Sequence, residues 1–405
     1  MKLLERDEAF RDLGPGTRFV AGNVTGTPST LLAALAHRAD EVGDLTLASG
    51  LLLGDVPLEA SIRAGSLRLR AWHIPASLRR LQREGLIDYA PLRLLDLPEV
   101  VLESSDVALL RVGPPDADGN CSIGASASYT VEAVNRVPLV IAEVSPDMPR
   151  TLGDSMIHVS KIDRMVRSQS PLPEVRPSTP DDISRAIARN VAGLLPAAAT
   201  LQLGIGAVPE VLAAELAASS DAGLGLLGLV TDAMIPLAER IAAAGGTVTA
   251  LELMGTAKLM RWAHENPAIV MASSQVVHNP AWLGTIPNLV SVNSAVAVDL
   301  LGQVVAESVG GAVIAGVGGS ADFSEGAHLS PGGLRIIALS STTRSGASTI
   351  VATHDPADAI TAPHHSVDAV VTEHGVAILR GATRRERRHA LISIADPRHR
   401  HTLGE

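Results

Sequence analysis

One unit occurs twice in this chain, and it constrains the fold more than anything else. RFVAGNVTGTPSTLLAALAHRA (residues 18–39) and ATLQLGIGAVPEVLAAELAA (residues 199–218) each read as an apolar strand, a glycine turn, a proline and a helix with apolar positions at helical spacing. Between them RSQSPLPEVRPSTPDD (residues 167–182) carries four prolines and few apolar residues, the composition of a linker. A pattern that restarts after a linker predicts two related α/β domains, residues 1–180 and 181–405, each with a largely parallel central sheet. Pro28 and Pro209 fall at corresponding points of the two copies. A helix start of this kind suits an anion, and it serves equally as a plain strand-to-helix turn. Neither copy spells the full G-x-G-x-x-G fingerprint, and no ribose-binding acid follows, so a nucleotide-dependent dehydrogenase fits poorly.

The runs LTLASGLL, VALLRV, PLVIAEV, LLGLV, LVSVN and RIIAL are apolar on both faces, as strands covered on two sides must be. They alternate with helical patterns, which favours a parallel or mixed sheet. Only 2% of the chain is aromatic, so the cores rest on aliphatic side chains and few rings are left to stack bases. With 33 basic and 43 acidic residues the net charge is −10, which argues against nucleic acid as a partner. Cys121 is the single cysteine, so an internal disulfide and a cysteine-rich zinc site are excluded. It reads as an inert buried thiol. The opening MKLLERDEAFRD is charged where a secretory signal is apolar, and the most apolar stretch is interrupted by Asp232, Glu239 and Arg240. A cytoplasmic protein without membrane spans is the expectation.

More specific are GNVTGTP at Gly22 to Pro28, PPDADGNCSIG at Pro114 to Gly124, MPRTLGDSMIHVSKID at Met148 to Asp163, LQLGIGAVP at Leu201 to Pro209 and NSAVAVDLLGQVVAE at Asn293 to Glu307. AGVGGSADF at Ala315 to Phe323, SPGGLRIIALSST, VVTEHGVAILRG and RERRHALISIADP complete the series. With these motifs in this order, the chain resembles the acetyl-CoA hydrolase/transferase family over almost its whole length, and within it the 4-hydroxybutyrate and butyryl CoA-transferase branch. The resemblance implies two α/β domains of the CoA-transferase fold, a homodimer, and an acyl-CoA thioester bound as substrate between the domains with no permanent cofactor. It also implies a ping-pong reaction with a small-molecule acceptor. A glutamate attacks the thioester, an acyl-glutamyl anhydride forms, and CoA returns to give a glutamyl-CoA thioester.

By the same resemblance Gly316, Gly318 and Gly319, with Ser320 and Asp322 beside them, form the loop whose amides receive the thioester oxygen. A glycine-rich loop also serves as a simple turn, and Asp322 as a carboxylate that ties the loop down. Gly206, Val230 and Asp232 fall in the implied substrate pocket. The family's glutamate stands four residues before the aspartate matched by Asp232, and there this chain has Gly228. Other departures accompany it: Ser320 replaces a glutamine, His374 an aromatic residue, and His364 and His365 an Arg-Asn pair.

Glu252 in ALELMG, His278 and His374 are the candidate replacements for the missing catalytic group, with His364 and His365 as further candidate general bases. Each also reads as an ordinary structural side chain, Glu252 as a sheet-end glutamate facing solvent, and Glu325 is a further carboxylate. His364 and His365, adjacent in what reads as extended chain, point opposite ways, and no carboxylate stands at ligand spacing, so no metal is expected. The only lysines are Lys2, Lys161 and Lys258, so arginines such as Arg79, Arg80 and Arg344 must meet the CoA phosphates. Three readings remain open: direct acyl transfer or hydrolysis without a glutamyl intermediate, classical CoA transfer through a relocated carboxylate such as Glu252, and a non-catalytic acyl-CoA-binding partner subunit.

Overall fold

The computed structural model describes residues 3–219 and 223–404, so Lys2 lies outside the described residues. The chain forms two compact units, Met1–Arg176 with Thr249–Val277, and Pro177–Val248 with His278–Glu405.

Unit one is built on seven parallel strands: β1 (Arg18–Ala21), β2 (Leu45–Ser49), β3 (Leu67–Ala71), β4 (Ile87–Tyr89), β5 (Val107–Val112), β6 (Leu139–Val144) and β7 (Arg164–Arg167), in the order β7-β6-β5-β1-β2-β3-β4. All six residues of β5 are buried, as a strand with both faces covered requires. Trp72 and Tyr129, edge to face with ring centroids 5.4 Å apart, are the large members of the core around β5. Cys121 belongs to that core, and burial pushes its thiol up to about 11, which leaves it inert.

The turn after β1 leads into helix α1 (Ser29–Val42), and here the sequence allowed for an anion at the helix start. The position is filled from within the fold. Glu143, on β6, accepts hydrogen bonds from the amides of Thr30 (2.7 Å) and Leu31 (3.3 Å) and from the Ser168 hydroxyl (2.6 Å). Behind it lies Arg111 of β5, whose Nε is 3.5 Å from Glu143, with both side chains fully buried. The Arg111 guanidinium also donates to the hydroxyls of Ser145 and Ser168 and to the carbonyl of Ser170. A buried carboxylate thus caps the helix and meets its counter-charge in one place.

Unit two repeats the arrangement with β8 (Thr200–Leu203), β9 (Gly225–Val230), β10 (Leu289–Asn293), β11 (Leu334–Ala338), β12 (Ala369–Thr372) and β13 (Gly375–Ile378), in the order β13-β12-β11-β10-β8-β9. The pairs are parallel except for the closing hairpin β12-β13. Helix α2 (Ala207–Ala218) follows β8 as α1 follows β1. The two prolines are not equivalent: Pro28 precedes α1, whereas Pro209 is the third residue of α2. A proline is tolerated there because first-turn amides have no partner inside the helix.

Removing the carboxylate of Glu143 leaves Arg111 buried without its counter-charge. Glu143→Ala is expected to destabilise unit one by about 3–5 kcal/mol in denaturant unfolding, whereas loss of an ordinary surface carboxylate changes stability by well under 1 kcal/mol.

Candidate active site

In unit two the chain leaves β8 for β9 on one side and β10 for β11 on the other, so the loops after β8 and β10 diverge. Open α/β sheets bind ligands in such a crevice, outside the carboxyl ends of the strands. A cavity of about 420 Å³ lies there, lined among others by Gly206, Pro209, Asn293, Ser340 and Thr343. A second, of about 530 Å³, is lined by Asn293, Ser320, Ser324, Glu325, His328 and His365. Asn293 and Ser294 border both cavities. Polar side chains run between the strands here: Ser291 Oγ donates to Gln202 Oε1 (2.9 Å), and Asn293 Nδ2 donates to Ser291 Oγ (2.8 Å). Gln202, a polar residue inside the apolar run TLQL, was the sequence signal for this row.

The glycine loop leads into helix α3 (Ser320–Leu329), with Gly319 as its N-cap. Ser320 Oγ donates to the carbonyl of Val317 (2.9 Å) and closes the turn. The first amides of an α-helix have no acceptor within it and carry the positive end of its dipole, so the loop and the start of α3 suit a developing oxyanion. Beneath the loop lies His278, 1% exposed. A Cβ on Gly319 would stand 2.0 Å from His278 Cε1 and 2.9 Å from Phe323 Cε2, so only glycine fits. The rings of His278 and Phe323 are 4.7 Å apart, and His278 Nδ1 is 3.5 Å from Asp322 Oδ2. Asp322 is fully buried and Phe323 nearly so.

Gly228 is the fourth residue of β9, paired with Leu203 of β8. Its φ is +102°, a conformation that residues with a side chain rarely adopt. A Cβ built there would meet Phe323 Cζ at 3.5 Å and Gln202 Cγ at 3.6 Å. Phe323 therefore links Gly228 to the glycine loop, a contact that the sequence did not disclose. Gly228, Gly319, His278 and Asp322 are gathered in one place.

The other candidates lie elsewhere. His374 sits in the turn between β12 and β13, its Nε2 3.7 Å from Glu373, and lines neither cavity. Val230 and Asp232 are buried and also line neither, whereas Gly206 borders the smaller cavity. Arg344 is absent from both linings, and Arg80 of unit one pairs with Glu84 at 2.9 Å. His364 and His365 are not extended but share a 3-10 turn, His364–Ser366, with rings edge to face 5.7 Å apart.

Glu252 belongs to unit one, on the strand Val248–Leu253, bridged to Ser126. It is no solvent-facing sheet end. It is 4% exposed, and burial pushes its carboxyl up to about 8, with Ser126, Ser128 and Asn23 offsetting part of that rise. Neither carboxyl oxygen makes a hydrogen bond of good geometry. A carboxyl with a raised folded pKa holds its proton while the unfolded chain releases it. Its contribution is therefore full at low pH, declines from about pH 4.5 upward and levels off above about 8. Unfolding curves at pH 5, 6.5 and 8 are expected to show wild-type stability falling relative to Glu252→Gln, by at most about 1.4 kcal/mol per pH unit. A constant difference contradicts the assignment.

Comparison with known proteins places this geometry. The acetyl-CoA hydrolase/transferase N-terminal domain matches residues 1–175, and the C-terminal domain of the same family matches residues 255–405. The 4-hydroxybutyrate coenzyme A transferase of Clostridium kluyveri is 38% identical, with 99% of this chain and 96% of that one covered. The crystal structure of RipA from Yersinia pestis superposes with a TM-score of 0.90 at 26% identity, covering 100% of this chain and 96% of that one. That of the 4-hydroxybutyrate CoA-transferase from Porphyromonas gingivalis gives a TM-score of 0.79 at 30% identity, with the same coverage of both chains. A chain with these two α/β units, this glycine loop and matches along nearly its full length belongs to the acetyl-CoA hydrolase/transferase family.

Proposed function

We propose that this protein acts on an acyl-CoA thioester by direct acyl transfer or hydrolysis, with no glutamyl-CoA intermediate. One observation carries the reading: the strand position that resemblance assigns to the attacking glutamate is Gly228, held at φ +102° against Phe323 and Gln202. The backbone at this position is also one that suits glycine. A glutamate there would have to adopt a left-handed conformation or reshape the strand.

The retained parts fit the first half of the chemistry. The thioester carbonyl lies against the amides of the glycine loop and the first turn of α3, which stabilise the negative charge that develops on its oxygen. A water, hydroxyl or amine attacks the carbonyl carbon and gives up a proton. The tetrahedral intermediate collapses, the carbon–sulfur bond breaks, and CoA leaves as the thiol once its sulfur gains a proton. Glu325, His328 and His365 border the larger cavity and are the groups placed to move that proton.

Relocation of the nucleophile to Glu252 is disfavoured by its protonation at neutral pH, since a neutral carboxyl is a poor nucleophile. The test is chemical. Enzyme turning over acetyl-, butyryl- or succinyl-CoA is treated with borohydride, which reduces a glutamyl thioester to an alcohol, and is then mapped by mass spectrometry. CoA release with every glutamate unmodified is expected. A reduced glutamate, at Glu252 or elsewhere, overturns the reading, and so does CoA binding with no thioester consumed.

A further inference from the structure

We infer that His278 is a positioning residue for the thioester-binding loop: paired with Asp322 beneath Gly319, it holds the loop amides in place and offsets a buried carboxylate that opposes the developing oxyanion. The inference rests on the reading above and adds a residue to it.

His278 is 1% exposed and lines neither cavity, so its role is assigned to the loop rather than to proton transfer with substrate. What it touches is the loop. Its ring occupies the space that a Gly319 side chain would need, packs on Phe323 and faces Asp322 at 3.5 Å. These contacts join the loop's last glycine to the first turn of α3 at residues far apart in sequence. Asp322 is the third residue of that helix and is fully buried. A carboxylate at a helix start favours the helix, but it repels a second negative charge arriving at the same end. The imidazole, with its Nδ1 3.5 Å from Asp322 Oδ2, is the group positioned to offset that charge, so the amide groups can serve the substrate oxygen.

The experiment follows CoA release from acetyl-, butyryl- and succinyl-CoA by wild-type enzyme and by His278→Ala, His278→Leu, His278→Gln and the double variant His278→Ala/Asp322→Asn. Thermal unfolding establishes that each is folded. His278→Ala is expected to lose roughly tenfold or more in kcat, the scale of one lost oxyanion contribution, while KM stays within about twofold. His278→Gln, which keeps a donor, regains most of the loss. The double variant is faster than His278→Ala because the opposing charge is gone, a coupling that simple loss of packing does not produce. If the alanine variant does not fold, His278→Leu and His278→Leu/Asp322→Asn give the same comparison. A single variant with wild-type kcat, or a double variant no faster than the single, overturns the inference and leaves the functional reading standing. Wild-type enzyme that releases no CoA from any of the three overturns both.

Discussion

In each unit the strand that opens the repeat ends beside a neighbour whose chain leaves in the opposite direction, and the two units differ in what fills the gap between their loops. Parallel strands oblige the chain to cross over, and a change in crossover direction opens a crevice at the carboxyl ends. Unit one closes its gap with its own groups: Glu143 caps α1, Arg111 balances Glu143, and Ser168 ties both to the chain beyond β7. Unit two leaves its gap open, with Gly206 and Asn293 on the border of a cavity. Two copies of one supersecondary unit are finished differently, one as a buried clamp and one as an open cavity.

The open copy is organised around Phe323. Its ring lies against the place of a Gly228 Cβ on one contact and against His278 on another, and Gly319 survives as glycine because those two rings leave no room. Gly228 is therefore coupled to the glycine loop through a packed aromatic side chain. The strand, the helix and the loop form one packed unit, in which a change at Gly228 is felt at the loop amides.

Much of this was legible in the sequence. Apolar runs of strand length marked the parallel strands, and glycine turns marked where each βα unit bends. The glycine loop and Gly228 were found by motif. Less was legible where distant residues meet. Glu143 is more than a hundred residues from the helix start it caps, so an anion site was conceivable at Thr30 until the fold brought the carboxylate there. Glu252 read as a sheet-end acid because nothing in ALELMG announces that Ser126 and Ser128 cover it. The positive φ of Gly228 was invisible because glycine adopts either sign of φ. His278 gave itself away only as a histidine, and its neighbours, Gly319 and Asp322, come some forty residues later.

Direct attack and a glutamyl-CoA route differ in whether an acyl group is ever exchanged through the enzyme itself. A glutamyl-CoA enzyme must catalyse a half-reaction in which free acid and the acyl group of acyl-CoA trade places. Incubation of the protein with acetyl-CoA and isotopically labelled acetate, followed by separation of the thioester, measures that exchange directly. Direct attack releases CoA and leaves acetyl-CoA unlabelled. Label entering the thioester at the rate of turnover would contradict it, because it would mean that a carboxylate of the protein holds CoA between two acids despite the glycine at position 228.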